Sequence, residues 1–307
     1  GADHHEIKVD PDLGKHLPSL AYFYDEPYAD SSMLATHAVA AHSKPFISVT
    51  LGGDGGDELF GGYNWYSWML RLEAWEKHCG LLTPPLRTVA EWLPLACRKK
   101  NFFTQLGLPR ERQLLNRMGF FTPELKQKLY SQDLQVSLED RKFEPLWRNR
   151  FDGFGGDLLR RLERMDFGCY LPDDGGVKID RATMSVSQEI RVPLLDNDLI
   201  DFAMRLPSEW KIRNGRKKFL LKKVAEKVLP PELLLDRKHG FNIPLDRWMA
   251  ADMGKMLEDL FPVLSPYLDC GTIAGLLREH RNGVRKHGAR LFAVLNFALW
   301  LEKIHSE

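Results

Sequence analysis

The chain has 307 residues, of which 44% are hydrophobic and 28% charged, and its net charge is +1. That length supports one large domain or two small ones. The balanced charge removes any bulk electrostatic case for binding nucleic acid or an anionic membrane. Cys79, Cys97, Cys169 and Cys270 are the only cysteines and form neither a CxxC pair nor a zinc spacing. This pattern points to a reduced, cytoplasmic setting rather than a disulfide scaffold.

The chain opens Gly-Ala-Asp without an initiating Met and runs at once into a strand-like HEIKVD, as a fragment of a longer protein would. The pattern next predicts a helix from about Asp12 to Tyr24, broken by Pro27. A second helix follows to about Ser43, capped by Asp30 or Ser31. FISVTL, residues 46–51, is an uninterrupted β-branched and apolar run, the pattern of a parallel strand buried on both faces. LGGDGGDELFGGY, residues 51–63, comes directly after it, and Asp57 is placed to cap the helix that begins at Glu58.

Residues 1–75 therefore read as an α/β unit with a Gly loop at the carboxyl end of a strand, the edge where open α/β sheets bind ligands. Residues 76–307 read as mainly helical, with turns at Pro84, Pro85 and Pro94, loops at 151–157 and 236–244, and a Pro-marked junction at 229–234. So few strands imply a small, mostly parallel and incomplete sheet. The longest apolar run, ARLFAVLNFALWL, is broken by Arg290 and Asn296. It is shorter than the roughly 20 residues of a membrane span and predicts a buried helix.

Six of the thirteen residues of the loop are glycine, and its only charges are Asp54, Asp57 and Glu58. Glycine lets backbone approach a ligand closely. Carboxylates repel bare phosphate but accept phosphate that arrives with Mg²⁺, because hard cations take oxygen ligands. The loop thus suits a Mg²⁺–nucleotide or Mg²⁺–pyrophosphate site; the alternative is a surface turn with a helix cap. Glu58 suits the first helical turn, where its charge complements the dipole. His4 and His5 have no partner at metal-ligand spacing.

DEPYADSS (25–32), the Gly loop, YLPDDGGVKIDRATM (170–184), QEIRVPLLD (188–196), LPSEWKIRNGRKKFLLKK (206–223), LPPELL (229–234) and RKHGFNIPLDRWM (237–249) occur in one order along the chain. In these motifs the chain resembles the synthetase domain of glutamine-hydrolysing asparagine synthetases. The resemblance implies a sheet of the ATP pyrophosphatase type, truncated at its N-terminus and followed by a large helical portion. It implies ATP and Mg²⁺ as cofactors, aspartate and glutamine-derived ammonia as substrates, and a β-aspartyl-AMP intermediate.

By the same resemblance, Gly52, Gly53, Gly55 and Gly56 bind ATP, with Gly52 and Gly53 against its AMP part. Asp54 assists adenylation and Asp57 holds Mg²⁺–pyrophosphate. Lys238 counters charge on the leaving group or intermediate. Lys218 is within reach of phosphate, although the lysines around it read mainly as a solvated face over Phe219, Leu220, Val224 and Val228. Asp180, Arg181, Glu189 and Arg191 shape the aspartate pocket or form structural ion pairs, with Glu189 and Arg191 on one side of an extended segment.

Two departures stand out: Gly52-Gly53 where the family has Ser-Gly, and Gly175-Gly176 where it has two apolar residues before the Val-Lys. Two glycines at a helix start cost roughly 1 kcal/mol each relative to Ala. Neither the family's N-terminal glutaminase Cys nor its SGGxDS loop occurs in this sequence. The chain alone is therefore expected to be inactive, partnered by a missing glutaminase half, and prone to association or homodimerisation through an exposed strand edge. The alternatives are a related amidotransferase acting on another carboxylate, and a non-catalytic remnant or interaction module.

Overall fold

A computed structural model describes residues 4–6, 13–93, 100–138, 151–234 and 243–306. Residues 4–6 lie outside any strand, with His5 stacked on Phe46; the rest of the HEIKVD segment expected as a strand falls outside the described residues. A 3-10 turn, Leu13–His16, leads into helix α1, Leu17–Tyr24. Leu17, Leu20, Ala21 and Tyr24 share one face of α1 at helical spacing, and all are buried. The helix stops at Asp25, before Pro27: Asp25 is left-handed (φ 58°), and its N–H returns to the Ala21 carbonyl.

Helix α2, Ser32–Ser43, is capped by Asp30, whose Oδ1 accepts the Ser32 N–H at 2.9 Å. Ser31, at the capping position itself, makes no side-chain cap.

Strand β1 is Val49–Leu51, and it pairs in parallel with β2, Glu189–Arg191, in the register Val49 to Glu189 and Leu51 to Arg191. The ladder extends at both ends, through the Glu189 N–H to Ser48 O (2.9 Å) and the Gly52 N–H to Arg191 O (2.8 Å). FISVTL is not the doubly buried strand its composition predicts. Phe46 is 56% exposed, Val49 41% and Leu51 72%. In the two-stranded sheet of the described residues each strand is an edge, and a parallel strand is covered on both faces only when helices lie above and below a wider sheet.

The chain then forms the acidic loop, helix α3 (Gly56–Phe60) and helix α4 (Asn64–Cys79). Asp57 does not cap α3. Gly55 holds that position at φ 84°, and Asp57 lies inside the helix.

Helix α5, Leu158–Met165, continues into a π-helical segment, Asp166–Gly176, and then into α6, Val177–Met184, which packs on α2. Gly175 and Gly176 close the π-helical segment. A Cβ at Gly176 would sit 3.1 Å from the Leu171 carbonyl oxygen, so the wide turn around Pro172 has little room for a side chain there. Helix α7, Phe219–Ala225, buries none of its residues, and Val224 and Val228 face solvent instead of forming the expected apolar stripe.

The long C-terminal helix α8, Gly288–Ser306, runs through the largest core. Leu291, Phe292, Leu295 and Ala298 are fully buried, against α1 and the helices of residues 245–281. Among the described residues no helix is long and apolar enough to cross a membrane.

Candidate active site

The acidic loop lies at the carboxyl end of β1, and its glycines serve different neighbours. A Cβ on Gly52 would lie 3.0 Å from Ile190 and 3.1 Å from the Asp54 carboxylate, which folds back over it. Gly55 and Gly56 pack against Leu195 and Leu194 of the VPLLD segment. Of the four, only Gly53 faces open space, with nothing within 4 Å of a Cβ. Close packing against residues 190–195 therefore explains three of the loop's glycines.

Asp57 points across the turn to Lys218, with Oδ1 and Nζ 3.1 Å apart. The pair closes over Gly62, where a Cβ would run into both the Asp57 carboxylate and Lys218 Cε. Lys218 adopts a left-handed backbone (φ 53°) at the start of α7, a conformation that costs an L-residue roughly 1–2 kcal/mol. The fold holds this lysine at the loop, although it is distant in sequence.

Behind the loop is a buried polar layer. Glu58 is buried, not simply a first-turn charge, and it accepts the Tyr63 hydroxyl at 2.5 Å. Asp166 accepts the Tyr66 hydroxyl at 2.6 Å, and Glu163 pairs with the equally buried Lys211 at 2.6 Å. Burial is the largest influence on Asp166; with the repulsion of Glu58 and Glu163 it outweighs the Tyr66 hydrogen bond and pushes the carboxyl up to about 8. Burial likewise raises Glu163 to about 7 against the pull of Lys211.

A second polar group joins α2 to α6. Lys178 pairs with Asp30 at 2.9 Å. Burial alone would lower Lys178, but Asp30, Asp174 and Asp54 together hold it above the ordinary lysine value. Burial raises Asp174 in spite of hydrogen bonds from Tyr28 and Tyr170. The influence of Asp54 on Lys178 ties this group to the loop.

Between the two groups opens a cleft of about 1080 Å³. Its walls are residues 26–31, Tyr63 and Trp65, the residues Asp166, Cys169, Tyr170, Asp173 and Asp174, and an apolar side made by Leu115, Phe120, Leu245 and Ala289. A smaller hollow of about 520 Å³ beside Asp201 and Phe202 holds none of the groups described above.

The sequence model of the asparagine synthase family matches residues 1–302. The chain belongs to the asparagine synthase family. It is 28% identical over 286 residues to asparagine synthetase [glutamine-hydrolyzing] 1 of Bacillus subtilis, covering 92% of this chain and 45% of that protein. It is 31% identical over 301 residues to a putative asparagine synthetase [glutamine-hydrolyzing] of Mycobacterium tuberculosis, covering 92% and 44%. A chicken asparagine synthetase [glutamine-hydrolyzing] is 30% identical over 116 residues, 37% of this chain and 19% of that one. The chain thus spans less than half the length of these relatives.

Of the residues that the sequence suggests for this family's site, Asp54, Asp57, Lys218 and the loop glycines come together. Lys238 lies outside the described residues. Asp180, Arg181, Glu189 and Arg191 are exposed and do not line the cleft. Glu189 and Arg191 do share one side of β2, paired at 2.7 Å, while Arg181 reaches the Phe23 carbonyl at the end of α1.

Among the described residues no three His, Cys, Asp or Glu side chains form a metal cluster. The Asp57 carboxylate beside Lys218 suits a Mg²⁺ ion carried mainly by phosphate oxygens, since Mg²⁺ is commonly held by one or two carboxylates plus its substrate's phosphates. Lys178, Asp174, Tyr63 and Gly62 were not singled out from the sequence, and Asp30 only as a helix cap, although all lie within DEPYADSS, the Gly loop or the LPDD motif. Their signal was the motif itself; their pairing was not readable.

Proposed function

We propose that the chain is the synthetase part of a larger enzyme that amidates aspartate, using ATP and ammonia released from glutamine in a separate glutaminase half. A carboxylate oxygen of aspartate attacks the α-phosphorus of ATP, and pyrophosphate leaves. Ammonia then attacks the acyl carbon of β-aspartyl-AMP, AMP leaves with the bonding pair, and the nitrogen loses a proton. The observation that carries this reading is the Asp57–Lys218 pair closed over Gly62 at the end of β1.

In this reading the open backbone at Gly53 receives the AMP portion, with Gly52, Gly55 and Gly56 setting the curve of the loop. Asp54 assists adenylation from beside Gly52. Lys218 and Lys238 offset charge on the departing pyrophosphate. Mg²⁺ held at Asp57 would screen the phosphate oxygens. Arg191, whose carbonyl accepts the Gly52 N–H, and Glu189, paired with it on the same side of β2, meet the charged ends of the acceptor from outside the cleft, and Asp180 and Arg181 shape α6. The size of the cleft favours a second reading, a related amidotransferase with a larger carboxylate acceptor.

The test is aspartate-dependent ATP–pyrophosphate exchange in the complete enzyme, run beside a glutaminase assay. Asp54→Asn and Lys238→Ala should each cut exchange by about 100-fold or more, the scale of one lost transition-state contact, with glutaminase activity retained. If Asp54→Asn leaves exchange intact, the loop is only a structural turn. Exchange supported by a bulkier carboxylate and not by aspartate would favour the second reading.

A further inference from the structure

Lys218 ends a segment whose other end is anchored in the core. Lys211 closes the short helical turn Ser208–Lys211 and is 0% exposed, and its partner Glu163, on α5, is 1% exposed. Their charged ends are 2.6 Å apart, although the two residues are 48 positions apart in the chain. A buried ion pair is a poor source of stability. The loss of water from both charges offsets most of their attraction, and apolar side chains of similar volume often serve as well or better. What the pair supplies is direction: a charged hydrogen bond holds a distance and an angle, whereas an apolar contact lets its partners slide.

The chain carries that direction to the acidic loop. Gly61, left-handed at φ 66°, ends α3 directly against the anchor, where a Cβ would lie 2.9 Å from Ile212 and 3.5 Å from Lys211 Cβ. From Ile212 the backbone makes a tight hairpin. Arg213 and Arg216 exchange hydrogen bonds of 3.0 and 2.8 Å, and Asn214 and Gly215 between them are both left-handed, at φ 50° and 77°. Two such residues in a row make the two-residue turn that fixes the geometry of a hairpin. Trp210 and Phe219 pack across its base with ring centroids 6.2 Å apart, and the Arg213 guanidinium lies over the Phe219 ring. The far arm ends in Lys217, which donates to Asn64 Oδ1 at 2.5 Å, and in Lys218, which meets Asp57. Lys211 and Lys218 are thus two ends of one stiff segment, and both lie against the Gly61–Gly62 turn.

We propose that Lys211 and Glu163 are positioning residues for Lys218: the buried pair fixes the hairpin on α5 so that the Lys218 ammonium reaches Asp57 and the pyrophosphate beside it. This rests on the proposed adenylation only for the role of Lys218. Both residues of the pair are enclosed and act through the hairpin.

The experiment is a mutant cycle in the complete enzyme at pH 8, where Glu163 is ionised. It is read by calorimetric titration with magnesium pyrophosphate and by aspartate-dependent ATP–pyrophosphate exchange. Glu163→Leu with Lys211→Met keeps the volume and removes both charges, so no bare charge is left in the core, and this paired variant should melt no lower than the unmodified enzyme. Its affinity for magnesium pyrophosphate should fall about tenfold or more, and in exchange the KM for pyrophosphate should rise more than kcat falls. Lys218→Ala should weaken the affinity by a similar factor. Added to the paired variant it should cost no more than about twofold further, because one misplaced lysine cannot be lost twice. Insertion of two glycines between Asn214 and Gly215, at the exposed tip of the hairpin, leaves the core intact and should weaken the affinity as the paired variant does. Unchanged affinity in the paired or the insertion variant, full additivity with Lys218→Ala, or no binding of magnesium pyrophosphate by the unmodified enzyme would overturn the proposal. Binding of magnesium pyrophosphate without aspartate-dependent exchange, with the cycle intact, would remove the amidation reading and leave this one standing.

Discussion

Two apolar runs meet opposite fates in this molecule. ARLFAVLNFALWL becomes the buried core of α8, and FISVTL becomes a three-residue edge strand with Leu51 72% exposed. Their composition is similar. The difference is that a helix satisfies its backbone within itself and needs only neighbours for its side chains. A parallel strand needs other strands to complete its hydrogen bonds and helices to cover both faces. Apolar content alone therefore does not measure burial. It has to be read with the number of partners the element requires.

The contrast is broken most directly by truncating one leucine in each run. Leu295→Ala should cost about 2–5 kcal/mol, as a fully enclosed leucine does. Leu51→Ala should change stability by less than about 0.5 kcal/mol, the usual range for an exposed position. Urea melts of the two variants give the comparison, and equal losses would mean that β1 is covered in solution.

A smaller effect separates two glycines of the loop. Gly62→Ala forces a methyl into the Asp57–Lys218 pair, whereas Gly53→Ala points into open space. Gly62→Ala should lower pyrophosphate exchange in the complete enzyme by about 10- to 100-fold through misplacement of the pair. Gly53→Ala should leave the melting temperature unchanged and act on the KM for ATP. The reverse pattern would exchange their roles.

Next in size is a pH effect from the buried acids. Asp166 and Glu163 titrate near 8 and 7 in the folded chain, above their ordinary values. The folded state then binds more protons than the unfolded one between about pH 4 and 8, so these two groups make stability fall as pH rises through that window. Melts between pH 6 and 9 should show the decline, and Asp166→Asn should flatten it. A decline as steep in that variant would assign the effect to other groups.

The smallest expected effect is on association. Phe46→Lys with Leu51→Lys should shift sedimentation of the isolated chain toward monomer, because charge on an exposed strand edge opposes pairing. An unchanged sedimentation profile would exonerate that edge. The isolated chain should release no asparagine from glutamine, since its sequence holds neither the glutaminase Cys nor the SGGxDS loop.

Much of this protein was legible in its residues. The pattern that ends before Pro27 announced a helix to Tyr24, and the apolar run of α8 announced a buried helix. The ordered motifs announced the family, and the acidic, glycine-rich loop after β1 marked the candidate site. These signals are local, carried by short-range periodicity and turn chemistry. Tertiary structure alone decided that Lys218 reaches Asp57, that Lys178 meets Asp30 across α2 and α6, and that residues 189–191 supply the partner of β1. It also decided that Asp57 faces Lys218 instead of capping a helix, and that Asp166 is buried at the edge of an open cleft. Each of these depends on which distant segments the packing brings together, and burial then sets the charge state of the groups that meet there. No local pattern in the chain encodes either.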